Sequence, residues 1–229
     1  MSTIVGVAAE GPIDQVLLEP LIRAVARERG GVTWPVQPAD VYERLHMRPR
    51  GHGGVYLAVK RLVRVLHGHP DFPYAFVIIV LDRRTRRIQQ KIRKLIAGKD
   101  RFVLAIAKEE IEAWWLGDRA NTLSWLGFRE PPKDTRYAAP GYLAEKDREP
   151  KKTLNQLTEL SPRLDRMYGE GNLDLARDFS NHWEGKVRLS GIESQCPERF
   201  PPFCADTAQA FRRRPQRDGR HVQWTLNLD

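Results

Sequence analysis

The side chains best placed to meet a ligand are acids standing where apolar runs end. Asp82 closes the run Ala75–Leu81, which is apolar throughout and reads as a strand buried on both faces. In open α/β sheets ligands bind beyond the carboxyl ends of the strands, so an acid at that point faces the ligand edge. Capping of the helix predicted over Thr85–Ala97 is the competing reading of Asp82. A second acid in the same setting favours the ligand edge: Glu10 follows the small and β-branched run Thr3–Ala9. Glu109 and Glu112 stand three apart in Lys108-Glu109-Glu110-Ile111-Glu112, a spacing that puts both on one face of a predicted helix. Arg83, Arg84, Arg86 and Arg87 follow Asp82 at once, and Lys151 and Lys152 follow a long proline-rich stretch. All six cations are candidates to meet phosphate, with a solvated helix start as the other reading of the lysine pair. Asp14 reads as a helix-dipole or capping residue.

Positioning these groups requires alternating strands and helices. Strands are predicted at Thr3–Ala9, Gly31–Val36, Ala75–Leu81 and Arg101–Ala107, and helices after each. That order argues for an α/β fold with a mainly parallel sheet. The stretch Arg48–Gly54 reads as a flexible linker, because it lacks the Gly-Lys-Ser/Thr ending of a Walker A loop. The helix after it turns Leu57, Leu62, Val65 and Leu66 inward and Lys60, Arg61 and Arg64 outward. The helix after the central strand presents Arg86, Arg87, Lys91, Arg93 and Lys94. Trp114, Trp115, Leu116 and Trp125 read as core. Residues 1–127 form the α/β domain. Residues 128–229 form a loop or lid and a helical extension, with helices at 151–160, 173–182, 189–195 and 200–212 and a short edge strand at 221–228.

Composition narrows the partner class. The 229 residues include 38 Lys+Arg against 29 Asp+Glu, a net charge of +9. A basic surface of this kind attracts polyanions, and nucleic acid is the first to consider. No apolar run approaches the ~20 residues of a membrane span. The N-terminus lacks the basic start and cleavage site of a secretory signal, and Cys196 and Cys204 are too few for a disulfide framework. A cytoplasmic protein is expected.

Taken in order, Glu10-Gly11, Asp82, EEIEAWWLGD, EPKKTLNQL and CPERFPPF resemble the TOPRIM domain shared by topoisomerases, primases and overcoming-lysogenization-defect nucleases. The likeness is nearest to a TOPRIM-like family of unknown function, often encoded beside an ATPase and associated with anti-phage defence. It covers most of the chain. The resemblance implies a TOPRIM-like, Rossmann-like sheet with helices on both faces. It further implies a metal-dependent nuclease or related phosphoryl-transfer subunit with an ATPase partner. Glu10, Asp82 and Glu112 are then the catalytic acids, and with Glu109 they hold Mg²⁺ or Mn²⁺. Carboxylates meeting at one sheet edge can hold such an ion through one or two direct ligands plus water and substrate phosphate. The chain departs from the family at Arg84, where the second aspartate of Asp-x-Asp belongs. A cation there repels a divalent metal by several kcal/mol, roughly, even at an effective dielectric near 20. Arg84 is then a phosphate clamp, and a catalytically degenerate nucleic-acid-binding or regulatory subunit is the alternative.

Overall fold

The computed structural model describes residues 2–48, 51–68, 74–82, 86–169 and 172–213, with the side chains of 66–68 excepted. Arg83, Arg84 and the expected edge strand at 221–228 lie outside the described residues.

Four strands, β1 (Thr3–Ala8), β2 (Val36–Asp40), β3 (Phe76–Asp82) and β4 (Phe102–Ala107), form one all-parallel sheet in the order β2-β1-β3-β4. Parallel strands need crossover helices. The first is α1 (Pro12–Glu28), and α2 (Val41–Arg44) with α3 (Gly51–Gly68) and then α4 (Arg86–Ile96) supply the others. Alternation along the strands divides the core. Phe76, Ile78 and Val80 of β3 join Val5 and Val7 of β1 in one layer under α1. Val77, Ile79 and Leu81 point the other way, into a layer with Val55, Ala58, Val59 and Leu62 of α3 and Ile92 of α4. The expected fold is therefore present: a parallel α/β sheet covered on both faces, with a C-terminal helical extension.

Three local expectations fail for physical reasons. The second strand runs through Val36–Asp40 rather than Gly31–Val36, and Pro38 sits inside it, paired in register with Val5. An edge strand tolerates a residue with no N–H, and β2 is the sheet's edge. Gly51-His52-Gly53-Gly54 is not a linker but the first turn of α3. Within α3, Leu57 is 55% exposed, and Val55, Ala58 and Val59 fill the core in its place. Leu62 is buried and Val65 packs against the same layer, as expected, so the departure is at the start of the helix, where its meeting with the sheet selects Val55, Ala58 and Val59.

Beyond β4 come α5 (Glu112–Gly117) and α6 (Arg119–Leu126), then a strandless segment with short 3-10 turns at Arg136–Ala138 and Ala144–Lys146. That segment is built into the core rather than hinged as a lid. Tyr137 is buried and its O–H donates to the Leu116 carbonyl at 2.8 Å. Four more helices follow, α7 (Pro150–Glu159), α8 (Leu173–Trp183), α9 (Leu189–Gln195) and α10 (Phe200–Arg212), close to their expected bounds. Trp115 stacks on Trp183 at 3.7 Å between ring centroids, and Trp114 on Phe203 at 4.9 Å. The tryptophans expected as core are all buried.

Candidate functional site

In the order β2-β1-β3-β4 the chain leaves β1 toward one side of the sheet and later returns to pair β3 on the other. The carboxyl ends of β1 and β3 therefore flank the switch point where open α/β sheets bind ligands. Glu10 follows β1 and Asp82 ends β3, and the backbone N–H of Asp82 donates to Glu10 Oε1 at 3.1 Å. The chain before Glu10 is pinned by the buried Tyr42, whose O–H donates to the Ala9 carbonyl at 2.8 Å. Asp82 continues the alternation Phe76, Ile78, Val80, so its side chain leaves on the side of α1.

On that side stands Asp14, in the first turn of α1. Its carboxylate accepts the Gly11 N–H at 2.9 Å, the capping role expected of it. Gly11 itself is extended, with φ −144°, so the turn uses no left-handed conformation. Glu112 opens α5 and is buried, and Tyr168, reaching in from the extension, donates its O–H to Glu112 Oε1 at 2.8 Å. Glu110 accepts the backbone N–H of Lys151 at 3.2 Å.

These carboxylates raise one another's proton affinity. Burial pushes Asp82 up to about 8, and the charges of Glu10, Asp14, Glu112 and Glu110 add to it. Asp14 is pushed up to about 7 by burial and by Glu112, against the opposing Gly11 hydrogen bond and Lys151. Burial also raises Glu112, opposed by the Tyr168 hydrogen bond. The rim thus holds excess protons at neutral pH, and a bound cation would relieve the same repulsion. Electrostatic coupling reaches further than coordination, which needs oxygens within about 2.6 Å of one point. Among the described residues, no three His, Cys, Asp or Glu side chains form a group that could hold a metal ion. What fits is an ion carried by one or two carboxylates, with water and a phosphate completing its shell, the mode usual for Mg²⁺.

The sequence candidates divide accordingly. Glu10 and Asp82 meet, and Glu112 acts on Asp82 through its charge. Glu109 does not share a helix face with Glu112, because α5 begins only at Glu112 and Glu109 lies before it, outside any helix. Glu110, which follows Glu109 in the chain, adds its charge to the upward push on Asp82. Lys151 is near enough to lower Asp14, whereas Lys152 is an exposed residue paired with Glu149. Arg86 and Arg87 are exposed at the start of α4. Besides Glu110, three participants escaped the sequence. Tyr168 carries no local signal. Asp14 was hidden behind its capping role. His52 was obscured by the linker reading, and its Nδ1 lies 3.8 Å from Glu10 Oε2. No family model, curated protein or solved structure matches this chain.

Proposed function

We propose that this chain is a TOPRIM-like, divalent-cation-dependent phosphoryl-transfer protein, a nuclease acting on nucleic acid, working beside an ATPase partner in anti-phage defence. The observation that carries the reading is the hydrogen bond between the Asp82 backbone and Glu10, residues 72 positions apart that meet at the sheet's switch point. The resemblance set out above supplies the reaction class, the partner and the biological setting. Glu10 and Asp82 are the residues that would hold Mg²⁺ or Mn²⁺. When bound, such an ion polarises a phosphodiester and lowers the pKa of an attacking water. Asp14, Glu110 and Glu112 deepen the negative potential behind the pair, and Tyr168 fixes Glu112 in one orientation. Lys151, with Arg83, Arg84, Arg86 and Arg87 from the chain after Asp82, supplies positive charge for substrate phosphates.

The test is cleavage of single- and double-stranded DNA and RNA by the purified chain with Mn²⁺ or Mg²⁺, with and without the neighbouring ATPase. Glu10→Ala and Asp82→Ala are expected to abolish cleavage. Unchanged cleavage in both variants removes the site assignment.

A second reading, a catalytically degenerate nucleic-acid-binding subunit, is favoured by the lack of a three-ligand group among the described residues and by Arg84 in the sequence. Its signature is salt-sensitive binding with no turnover, and metal-dependent turnover lost in Asp82→Ala counts against it.

A further inference from the structure

The two long helices on the face opposite α1 carry no aspartate or glutamate at any position. On α3 the cations are Lys60, Arg61 and Arg64; Arg64 is exposed, Lys60 and Arg61 are half-buried, and Arg61 donates to the Leu45 carbonyl at 3.2 Å. On α4, Arg86 and Arg87 open the helix and Lys91, Arg93 and Lys94 continue it, all exposed. The helices pack side by side through the layer that holds Val59 and Ile92, so their outer faces form one surface. Among the described residues, the acids that flank these helices in the chain stand at their margins, Asp40 and Glu43 around α2 and Asp100 after α4. Lys91 lies over the Tyr56 ring at 5.6 Å, a contact that ties the two helices together across the outer face.

Both helices also begin at the acidic rim. His52, in the first turn of α3, is the residue beside Glu10, and Arg86 starts α4 four residues after Asp82. A cationic surface that starts at the rim and runs away from it is a guide for an extended polyanion whose phosphate must reach that rim. We infer that the joined outer face of α3 and α4 is the docking track for the phosphate backbone of a nucleic-acid strand, leading to the Glu10–Asp82 pair. The track rests on the function proposed above for the class of polyanion it takes. A membrane surface fits less well. Interfacial helices need a free apolar face, and the apolar faces of α3 and α4 are spent on the sheet, with Leu57 the large exposed hydrophobe.

The test measures binding in EDTA, so that it does not depend on catalysis. Labelled single-stranded and duplex DNA and RNA are titrated with the full chain across a series of KCl concentrations. Comparison is made with Arg93→Gln/Lys94→Gln on α4, Lys60→Gln/Arg64→Gln on α3, and a control of equal charge change on the extension, Arg177→Gln/Lys186→Gln. Both track variants are expected to bind at least tenfold more weakly near 0.1 M salt. Each should flatten the log–log salt dependence by about 1.4 on single strands or about 1.8 on duplex, the share of two phosphate contacts. The control should stay within twofold of the parent. Equal weakening by the control, or no weakening by either track pair, overturns the track. So does tighter uptake of the parent by phosphatidylserine vesicles than by nucleic acid, if the track variants abolish that uptake. Lost binding with cleavage assigned elsewhere separates this surface from the fate of the acidic pair.

Discussion

Replacing Asp82 by asparagine isolates the energetic strain at the acidic rim. The Asp82 backbone N–H that binds Glu10 is unaffected, and the amide is nearly isosteric with the protonated acid. In the folded chain the Asp82 carboxyl is pushed up to about 8, and Asp14 up to about 7, from an ordinary value of 3.8. Both shifts are upward, so the folded state binds more protons than the unfolded chain, and stability falls as pH rises through the folded values. The loss begins above about pH 4 and is complete above about pH 8. At ~1.4 kcal/mol per pKa unit, Asp82 alone removes about 3 kcal/mol between pH 6 and pH 9. Denaturant unfolding of parent and Asp82→Asn at pH 6, 7, 8 and 9 measures this directly. The variant is expected to be the more stable already at pH 6, because the unfolded Asp82 is ionised there while the folded one is not, and its advantage is expected to widen by about 3 kcal/mol between pH 6 and pH 9. A parent and variant whose stabilities stay parallel from pH 6 to pH 9 would refute the reasoning, because Asp82 would then ionise without penalty. Under the proposed function, millimolar Mg²⁺ at pH 9 recovers part of the loss in the parent and none in the variant.

Tyr168→Phe leaves the buried Glu112 without its hydroxyl donor and is expected to cost about 1–3 kcal/mol by denaturant unfolding, with much of the loss recovered when Glu112 is also made leucine. Glu145, buried beneath the start of α10, accepts the backbone N–H of both Glu198 and Arg199 at 2.7 Å, so Glu145→Ala should cost about 2 kcal/mol or more. Trp183→Ala removes the ring stacked on Trp115 and should cost about 3–5 kcal/mol, read as a lowered midpoint of a single transition. Cys204, whose thiol burial pushes up to about 12, and the buried Cys196 should both resist alkylation in the native protein and react fully in denaturant.

The central strand and the acid at its end were legible because seven apolar residues followed by an aspartate leave little freedom in how the chain can lie. The C-terminal helices were equally legible from their periodicity. The start of α3 was not, since glycine is a poor helix former and only packing of Val55 and Val59 onto the sheet fixes Gly51–Gly54 in the helix. The bounds of the second strand were not legible, because the cost of Pro38 within it depends on whether the strand is central or at the edge, a property of sheet order that no local window carries. The meeting of Glu10 with Asp82 followed from strand topology, whereas Tyr168 beside Glu112 depends on how the extension folds back, which spacing does not encode. The shared helix face expected of Glu109 and Glu112 was not realised because the helix begins only at Glu112, a boundary that the acidic run does not mark.

The aromatic interlock between Trp115 and the pair Phe179 and Trp183 joins residues on opposite sides of position 127. The two halves are consequently not modules that can be traded. A chain cut after Leu126 would bare an indole that natively touches no water, and the extension alone would keep half of a stack. Recombination that swaps one half for a distant homologue must therefore carry its matching rings along, and drift in either half is constrained by the shape of the other.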